Sequence, residues 1–309
     1  MIFDGHSDLL YDVTRRRLAG ETRVLERCHR QRLDQGNIEG LVLAVWANPA
    51  QGESYRVHTQ QILSCASAEF AECPWLKIVR TAAEAEQAKD EGYTYAFLGI
   101  EGMAAVRDTS DIDCYADFGA RLGMLTWNEE NALATGAGGD AEKGLTMLGR
   151  NVVRKMEERN ILVDVSHLNV RGFWDVMGMV RTPVIASHSN CRALCDVPRN
   201  LTDEQLRAIR DSGGVVGLNV YHSFVHVEPM KQTVEMLARH AVHMAEVMGV
   251  EYVACGFDFC EFFGPGNEGV QGMENCAQVQ NFFDWLERFG MSAKERQMIA
   301  RENFLRLFR

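Results

Sequence analysis

Ile2-Phe3-Asp4-Gly5-His6-Ser7-Asp8 is the stretch on which the fold turns: a short apolar start runs into a glycine and then into His6 and Asp8. Residues two apart point to the same side of an extended backbone, so the spacing predicts an imidazole and a carboxylate side by side at a strand end. A neutral ring nitrogen beside a hard oxygen is a donor pair for a divalent metal of zinc-like character, and a strand end holds both rigidly. Alone the pair is ordinary, because His and Asp two apart usually sit solvated on a surface. Its meaning depends on partners elsewhere in the chain.

The same form recurs. Apolar runs ending in Gly, Asn, His or an acid occupy residues 2–7, 41–47, 93–100, 122–127, 161–166, 184–187, 215–220 and 252–257. Between them lie segments with helical spacing, at residues 58–72, 81–92, 111–121, 146–160, 230–248, 275–289 and 292–308. In 146–160, Leu148, Val152, Val153 and Met156 make one apolar stripe, with Arg154, Lys155, Glu157 and Glu158 elsewhere on the turn. Thr202 with Gln205, and Ser292 with Glu295, predict capping boxes at two helix starts. Eight strands, each followed by helical sequence, point to a closed TIM-like (β/α)8 barrel rather than an open doubly wound sheet. No Pro/Ser-rich linker, composition shift or low-complexity stretch divides the chain, so residues 1–309 are expected to form a single domain. The glycine-containing runs 136–144 and 262–272 predict longer loops that frame or cover the barrel mouth.

Bulk properties exclude several classes. Of 309 residues, 46% are hydrophobic, ample for a core, and 32 basic against 43 acidic residues leave a net charge of -11. Nucleic acid and anionic membrane would both repel such a chain. The start lacks the charged and long apolar regions of a signal peptide, and no apolar run approaches the roughly 18 residues of a membrane span, so the expected setting is the cytoplasm. Nine cysteines without a CxxC pair indicate buried thiols rather than a disulfide framework or a cysteine zinc site, and the spacing of Cys191 and Cys195 suggests packing. There is no HExxH, no Gly-x-Ser-x-Gly and no phosphate-binding glycine loop, which argues against a zincin, a serine hydrolase or a nucleotide enzyme.

Barrel enzymes take their reactive groups from the C-terminal ends of the strands. Here the runs end at His6 and Asp8, Glu101, Trp127 and Asn128, His167, His188, Tyr221 and Asp258. A lone histidine at a strand end is usually a satisfied hydrogen-bonding group. Three histidines and three acids at one rim invert that expectation, since burying them together is costly without a metal to neutralise them. Donor counting suggests two ions: His6 and Asp8 on one, His167 and His188 on the other, and Glu101 bridging. A water or hydroxide between them would be the nucleophile. Asp258 is then left as the general base that passes a proton to the leaving amine, or is itself a ligand. Trp127, Asn128 and Tyr221 are assigned to substrate contact. His240 and His243 are read as packing or hydrogen-bonding groups, His29, His58 and His226 have no clear partner, and His222, next to Tyr221, is within reach of the site but is not counted in it.

With these residues placed, the chain resembles the membrane (renal) dipeptidase family of metallopeptidases. The likeness runs through DGHSD, GIEG, GLTMLGRNVVRKMEERNILVDVSH, PVIASHSNCRALCDVPRNLTDEQL, GFDF and the terminal ENFLRLF. It implies a barrel of the metal-dependent hydrolase type with two zinc ions, hydrolysis of dipeptides including those with a C-terminal D-residue, and often homodimers. It also implies that His6 and Asp8 ligate one zinc, His167 and His188 the other, that Glu101 bridges, that Asp258 is the acid/base group and that Arg199 binds the substrate carboxylate. A guanidinium suits that role, since its planar fork holds a carboxylate and selects a free C-terminus. The chain departs from the family at Trp127, where well-studied animal members carry a histidine after the Leu-Thr pair. Indole donates one hydrogen bond and carries no charge, so stabilisation of the reacting carbonyl would fall to the metals, Asn128 or another group. The family's lipid anchor has no counterpart here.

Two other readings compete. A metal-dependent amidohydrolase or lactonase on the same barrel would carry His-x-His on the first strand and a bridging lysine on the fourth, where Asp8 and Trp127 stand. A non-catalytic metal- or peptide-binding relative is suggested by Trp127 and opposed by Asp258. Zinc, cobalt, manganese and iron all tolerate this donor set.

Overall fold

Each of the eight predicted runs forms a strand in the computed structural model, which describes residues 1–48 and 53–309. The strands are β1 (Ile2–Ser7), β2 (Ile38–Trp46), β3 (Leu76–Ile78), β4 (Thr94–Glu101), β5 (Ala120–Met124), β6 (Leu162–Asp164), β7 (Val184–Ile185), β8 (Val216–Leu218) and β9 (Val253–Cys255). The helices before β5 are α1 (Leu9–Leu18), α2 (Arg30–Gln35), α3 (Tyr55–Glu72), α4 (Ala82–Asp90) and α5 (Ser110–Phe118). Those after it are α6 (Met147–Glu158), α7 (Val170–Met177), α8 (Asp203–Asp211), α9 (His222–Val225), α10 (Val234–Met248), α11 (Gln280–Arg288), α12 (Ala293–Gln297) and α13 (Asn303–Leu305). Both predicted capping boxes are present, at Thr202 with Gln205 and at Ser292 with Glu295.

The architecture is a curled, TIM-like parallel barrel. The ladder order is β1-β2-β4-β5-β6-β7, with β3 pairing β4 below the stretch that β5 takes, and β8 pairing β9. A parallel bridge between Ala186 and Val216 joins β7 to β8. Closure between β9 and β1 is made by a side chain: the Asp4 carboxylate accepts the Phe257 N–H at 2.8 Å. Burial pushes the Asp4 carboxyl up to about 7 even with the Phe257 and His6 N–H groups aimed at it. Gly5 is required at this seam, because a Cβ there would collide with the Phe304 ring and the Cys255 carbonyl.

Inward-facing residues fill the lower barrel. Phe3, Val42, Tyr95, Phe97, Leu122, Met124 and Ile185 pack with Phe304 and Phe308 from the chain's last turns. Phe97 stacks on Phe308 with centroids 3.8 Å apart. Each such ring contributes roughly 2–3 kcal/mol of burial, which makes the C-terminal turns a plug for the end opposite the rim. Helices cover the outer faces of the strands.

Several boundaries differ from the sequence expectation. The segment 111–121 is not one helix: α5 stops at Phe118, Gly119 turns left-handed at φ 119°, and β5 has begun by Ala120. The segment 230–248 is helical only from Val234, where Thr233 caps the first turn. The segment 292–308 is interrupted by a π-helical turn at Met298–Glu302. Among the described residues β3, α1, α2, α7 and α9 are additional elements, all but α1 of eight residues or fewer.

Candidate metal centre at the barrel mouth

Strand alternation carries the rim residues inward. In β4, Tyr95 and Phe97 face the barrel interior, and the same period of two brings Glu101 to its mouth. In β1, Phe3 faces inward, so a regular strand would turn His6 outward. The strand pairs Asp4 with Leu41 but Ser7 with Leu43, three steps against two, and this one-residue bulge returns His6 to the interior. Asp8 does not continue the strand as the spacing suggested. It stands at the start of α1 with φ -88° and ψ 21°, and the turn brings its Oδ1 3.6 Å from His6 Nε2.

The other ligand candidates arrive from β6, β7 and the segment after β9. Asp164 Oδ1 accepts from Ser166 N at 2.9 Å and Ser187 N at 3.1 Å, tying the two histidine-bearing strand ends together. His167 at φ 70° and Asp258 at φ 58° adopt left-handed backbone rarely taken by non-glycine residues, and such strain gathers at functional sites. His167 Nδ1 donates to Asn128 Oδ1 at 2.9 Å, and His188 Nδ1 shares a hydrogen bond with Ser187 Oγ at 2.8 Å. Both Nε2 atoms are thereby aimed into one space, 2.8 Å apart, with Glu101 Oε1 2.9 Å from His167 Nε2 and 3.8 Å from His188 Nε2. Glu101 Oε2 lies 3.1 Å from His6 Nε2, and Asp258 Oδ1 lies 3.9 Å from the same nitrogen.

The six residues thus converge around Glu101. His6, Asp8 and Asp258 offer atoms within 4.8 Å of one another, as do His6, Glu101 and His188, with His167 Nε2 2.8 Å from that of His188. His6 Nδ1 and Nε2, Asp8 Oδ1 and Glu101 Oε2 are buried and make no hydrogen bond, a set that an unpaired protein interior does not tolerate and that divalent cations would satisfy. The electrostatics agree. Burial and the neighbouring Asp8 hold the Glu101 carboxyl well above the carboxylate range. Burial and Asp8 also lift Asp258 to about 6. Burial would lower His6, but Glu101, Asp8 and Asp258 outweigh it and hold the ring well above its ordinary value. Burial and the nearby Arg199 keep His167 and His188 well below theirs, hence neutral and able to ligate.

A cavity of about 470 Å³ opens over this centre, lined by Asp8, Glu101, His167 and Asp258 and by Trp127, Asn128 and Tyr221, all anticipated from sequence. Asn128 lines the cavity and through its Oδ1 also holds His167 Nδ1, fixing the tautomer of that ring. Arg199 is 8% exposed, lies over the Phe224 ring at 5.3 Å and donates to the His188 carbonyl at 3.2 Å. No carboxylate of the described residues pairs with it; its Nε is buried without a partner, and burial lowers it to about 10. The loop 262–272 does border the cavity, through Phe263 and Asn267, whereas the loop 136–144 is held behind His167 by the Ala137 N–H on the His167 carbonyl.

Sequence reasoning missed Tyr11, Trp46, Phe224 and Cys260 in the lining, and Asn219, whose Nδ2 donates to Asp258 Oδ2 at 3.0 Å. Asn219 sits directly before Val220, Tyr221 and the strand-end signal already noted, so position was its only cue. His240 is structural as expected: it accepts from Cys191 N and donates to the Val225 carbonyl.

Fold and rim together define the class of the barrel hydrolases built around metal-binding histidines and acids. The pattern of membrane dipeptidase, peptidase family M19, matches residues 1–309, and the chain belongs to that family. A protein of Klebsiella pneumoniae without assigned function is 34% identical over 194 residues, 60% of this chain and 72% of that one. A dipeptidase of Schizosaccharomyces pombe, itself uncharacterised, is 30% identical over 219 residues, and the match spans about half of its length, 52%. Among solved structures, a metallopeptidase from Rhodobacter sphaeroides liganded with a phosphinate mimic of the dipeptide L-Ala-D-Ala superimposes with a TM-score of 0.88 at 24% identity, covering 99% of this chain and 98% of its own. A probable dipeptidase from Pseudomonas aeruginosa gives 0.85 at 17% identity, covering 100% and 94%. These likenesses establish the barrel fold.

Proposed function

We propose that residues 1–309 form one metal-dependent dipeptidase domain that hydrolyses dipeptides, including those with a C-terminal D-residue, at two zinc ions. The observation that carries this reading is the shared carboxylate: Glu101 lies 3.1 Å from His6 Nε2 through one oxygen and 2.9 Å from His167 Nε2 through the other. His6 and Asp8 would hold one ion and His167 and His188 the other. When bound, such ions supply an acidified water and polarise a carbonyl oxygen.

The chain's own residues account for the rest. Asp258, with Oδ1 3.9 Å from His6 Nε2 at the rim, would take a proton from the attacking water and return it to the leaving amine. Asn219 fixes the second oxygen of that carboxylate and thus its direction. Arg199, without a carboxylate partner among the described residues, accepts the free C-terminus of the substrate in a charge-assisted fork. Trp127, 37% exposed with its ring 6.1 Å from that of His167, walls the mouth but donates no charge to the reacting carbonyl.

A second reading is favoured by one observation: His6, Asp8 and Asp258 offer atoms within 4.8 Å of one another, a set in which Asp258 is a ligand. One experiment separates these. Protein supplied with zinc should contain two ions per chain and cleave Leu-D-Ala while leaving N-acylated tripeptides intact; absence of turnover across a broad dipeptide panel defeats the proposal. Asp258→Asn should retain near-normal metal and lose about 10²- to 10⁴-fold in kcat. Loss of one ion in that variant instead makes Asp258 a ligand.

A further inference from the structure

Four aromatic rings line one end of the cavity, Trp127 and Phe263 exposed and Trp46 buried behind them. Tyr11, Trp46 and Phe263 form a mutual triad, with centroids 5.1 Å apart for Tyr11–Trp46, 5.1 Å for Tyr11–Phe263 and 5.9 Å for Trp46–Phe263. Trp127 adjoins Trp46 at 5.4 Å. Trp127 and Phe263 are each 37% exposed although large and apolar, and exposed apolar surface concentrated in a concave site marks ligand contact.

Their place relative to the reacting groups gives the patch an orientation. Tyr11 is one turn beyond Asp8, its N–H donating to the Asp8 carbonyl at 2.9 Å, and Trp46 pairs with Glu101 across the β2–β4 ladder. The patch therefore adjoins the Asp8 and Glu101 side of the centre. Arg199 and Phe224 occupy the His188 side. A dipeptide whose carboxylate meets Arg199 and whose peptide carbon lies over Glu101 directs its amino-terminal residue toward the rings.

We infer that Tyr11, Trp46, Trp127 and Phe263 form a specificity subsite that selects dipeptides whose first residue bears a large, neutral, apolar side chain. This rests on the dipeptidase reading above. An acidic first residue meets the negative faces of the rings and gains nothing from them. A cationic one gains only a ring-face attraction at a solvent-open mouth, whereas an aliphatic or aromatic one displaces water from the exposed surface of Trp127 and Phe263.

The test is a series X-D-Ala with X as Phe, Leu, Gly, Lys and Asp, measured as kcat/KM on the zinc-supplied enzyme. Phe and Leu should exceed Gly by at least about tenfold, the discrimination that apolar pockets give, with Lys and Asp below Leu. Trp46→Ala should collapse the Phe-to-Gly ratio toward one through KM. Phe263→Leu, a milder change at a half-exposed position, should lower the ratio for Phe more than for Leu, which guards against misfolding of the first variant. Equal hydrolysis of every member, a preference for Lys, or ratios unchanged in both variants overturns this inference alone. No hydrolysis of any member overturns the dipeptidase reading and this inference with it.

Discussion

Buried histidines differ in setting across this molecule, and the contrast identifies the centre; His58, buried with an unpartnered Nδ1, forms no ion pair among the described residues. His240, on α10, is 0% exposed, yet its two ring nitrogens are spoken for by the Cys191 N–H and the Val225 carbonyl. His29 is likewise bound to Asp12 at 2.9 Å. His6 is equally buried, but neither ring nitrogen has a hydrogen bond, and it faces three carboxylates. His167 and His188 have satisfied Nδ1 atoms, and their Nε2 atoms meet each other at 2.8 Å beside Glu101. A folded chain keeps its buried polar groups paired because each orphan costs about 1–3 kcal/mol. Groups left converging without partners are therefore waiting for something outside the chain, and their N and O donor set fits divalent cations.

The largest expected effect breaks that contrast at its hinge. Glu101→Gln removes the charge common to both donor sets, so zinc content should fall and dipeptide turnover should drop by at least about a thousandfold, equivalent to the several kcal/mol a bound ion contributes. Thermal stability measured after chelation should move the other way, holding or rising, because Glu101 in the metal-free chain is a buried carboxylate beside Asp8 and Asp258. A variant that keeps two ions and wild-type rates removes the bridging role. Next in size, Arg199→Ala should cost about a hundredfold or more in kcat/KM for free dipeptides, in keeping with the 2–5 kcal/mol lost when one member of a buried charge pair is truncated. The same change should leave the discrimination against C-terminally amidated dipeptides abolished. Retained discrimination assigns carboxylate recognition elsewhere.

How much of this was legible in the sequence follows from the range of the forces involved. The strands were legible because a period of two and a terminal polar residue are local, and all six rim residues were found from the strand ends they occupy. The reason His6 and Asp8 meet was misread: the pair seemed to share one face of a strand, whereas a bulge turns His6 inward and Asp8 has already entered the α1 turn. A bulge is set by the partner strand, which the local sequence does not show. Asn128, taken for a substrate group, lines the cavity and also holds His167, a contact between residues 39 apart in the chain that the local sequence does not show. The aromatic patch escaped for the same reason. Tyr11, Trp46 and Phe263 come from three separate segments: the first two read alone as ordinary core, and Phe263 only as part of a loop expected at the mouth.

The smallest effect tests the other side of the contrast, the satisfied histidine. Burial lowers His240 to about 4, with the Val225 carbonyl opposing and the nearby His243 and His226 adding to the shift. The sign follows from proton uptake. Between its folded value and the ordinary 6.5, the unfolded chain binds a proton at this ring that the folded chain refuses, so stability from the neutral ring is present above 6.5 and lost as the pH falls toward 4. Between pH 7 and pH 5 the loss should be about 2 kcal/mol. Urea unfolding of the wild type and of His240→Asn across that interval isolates it, because acid release of metal from the rim acts on both proteins and cancels in their difference. The variant should be less stable at pH 7, and the gap should narrow by about 2 kcal/mol at pH 5. A gap that stays constant with pH would mean that His240 titrates as it does in the unfolded chain, and that burial with two hydrogen bonds does not distinguish it from a solvated ring.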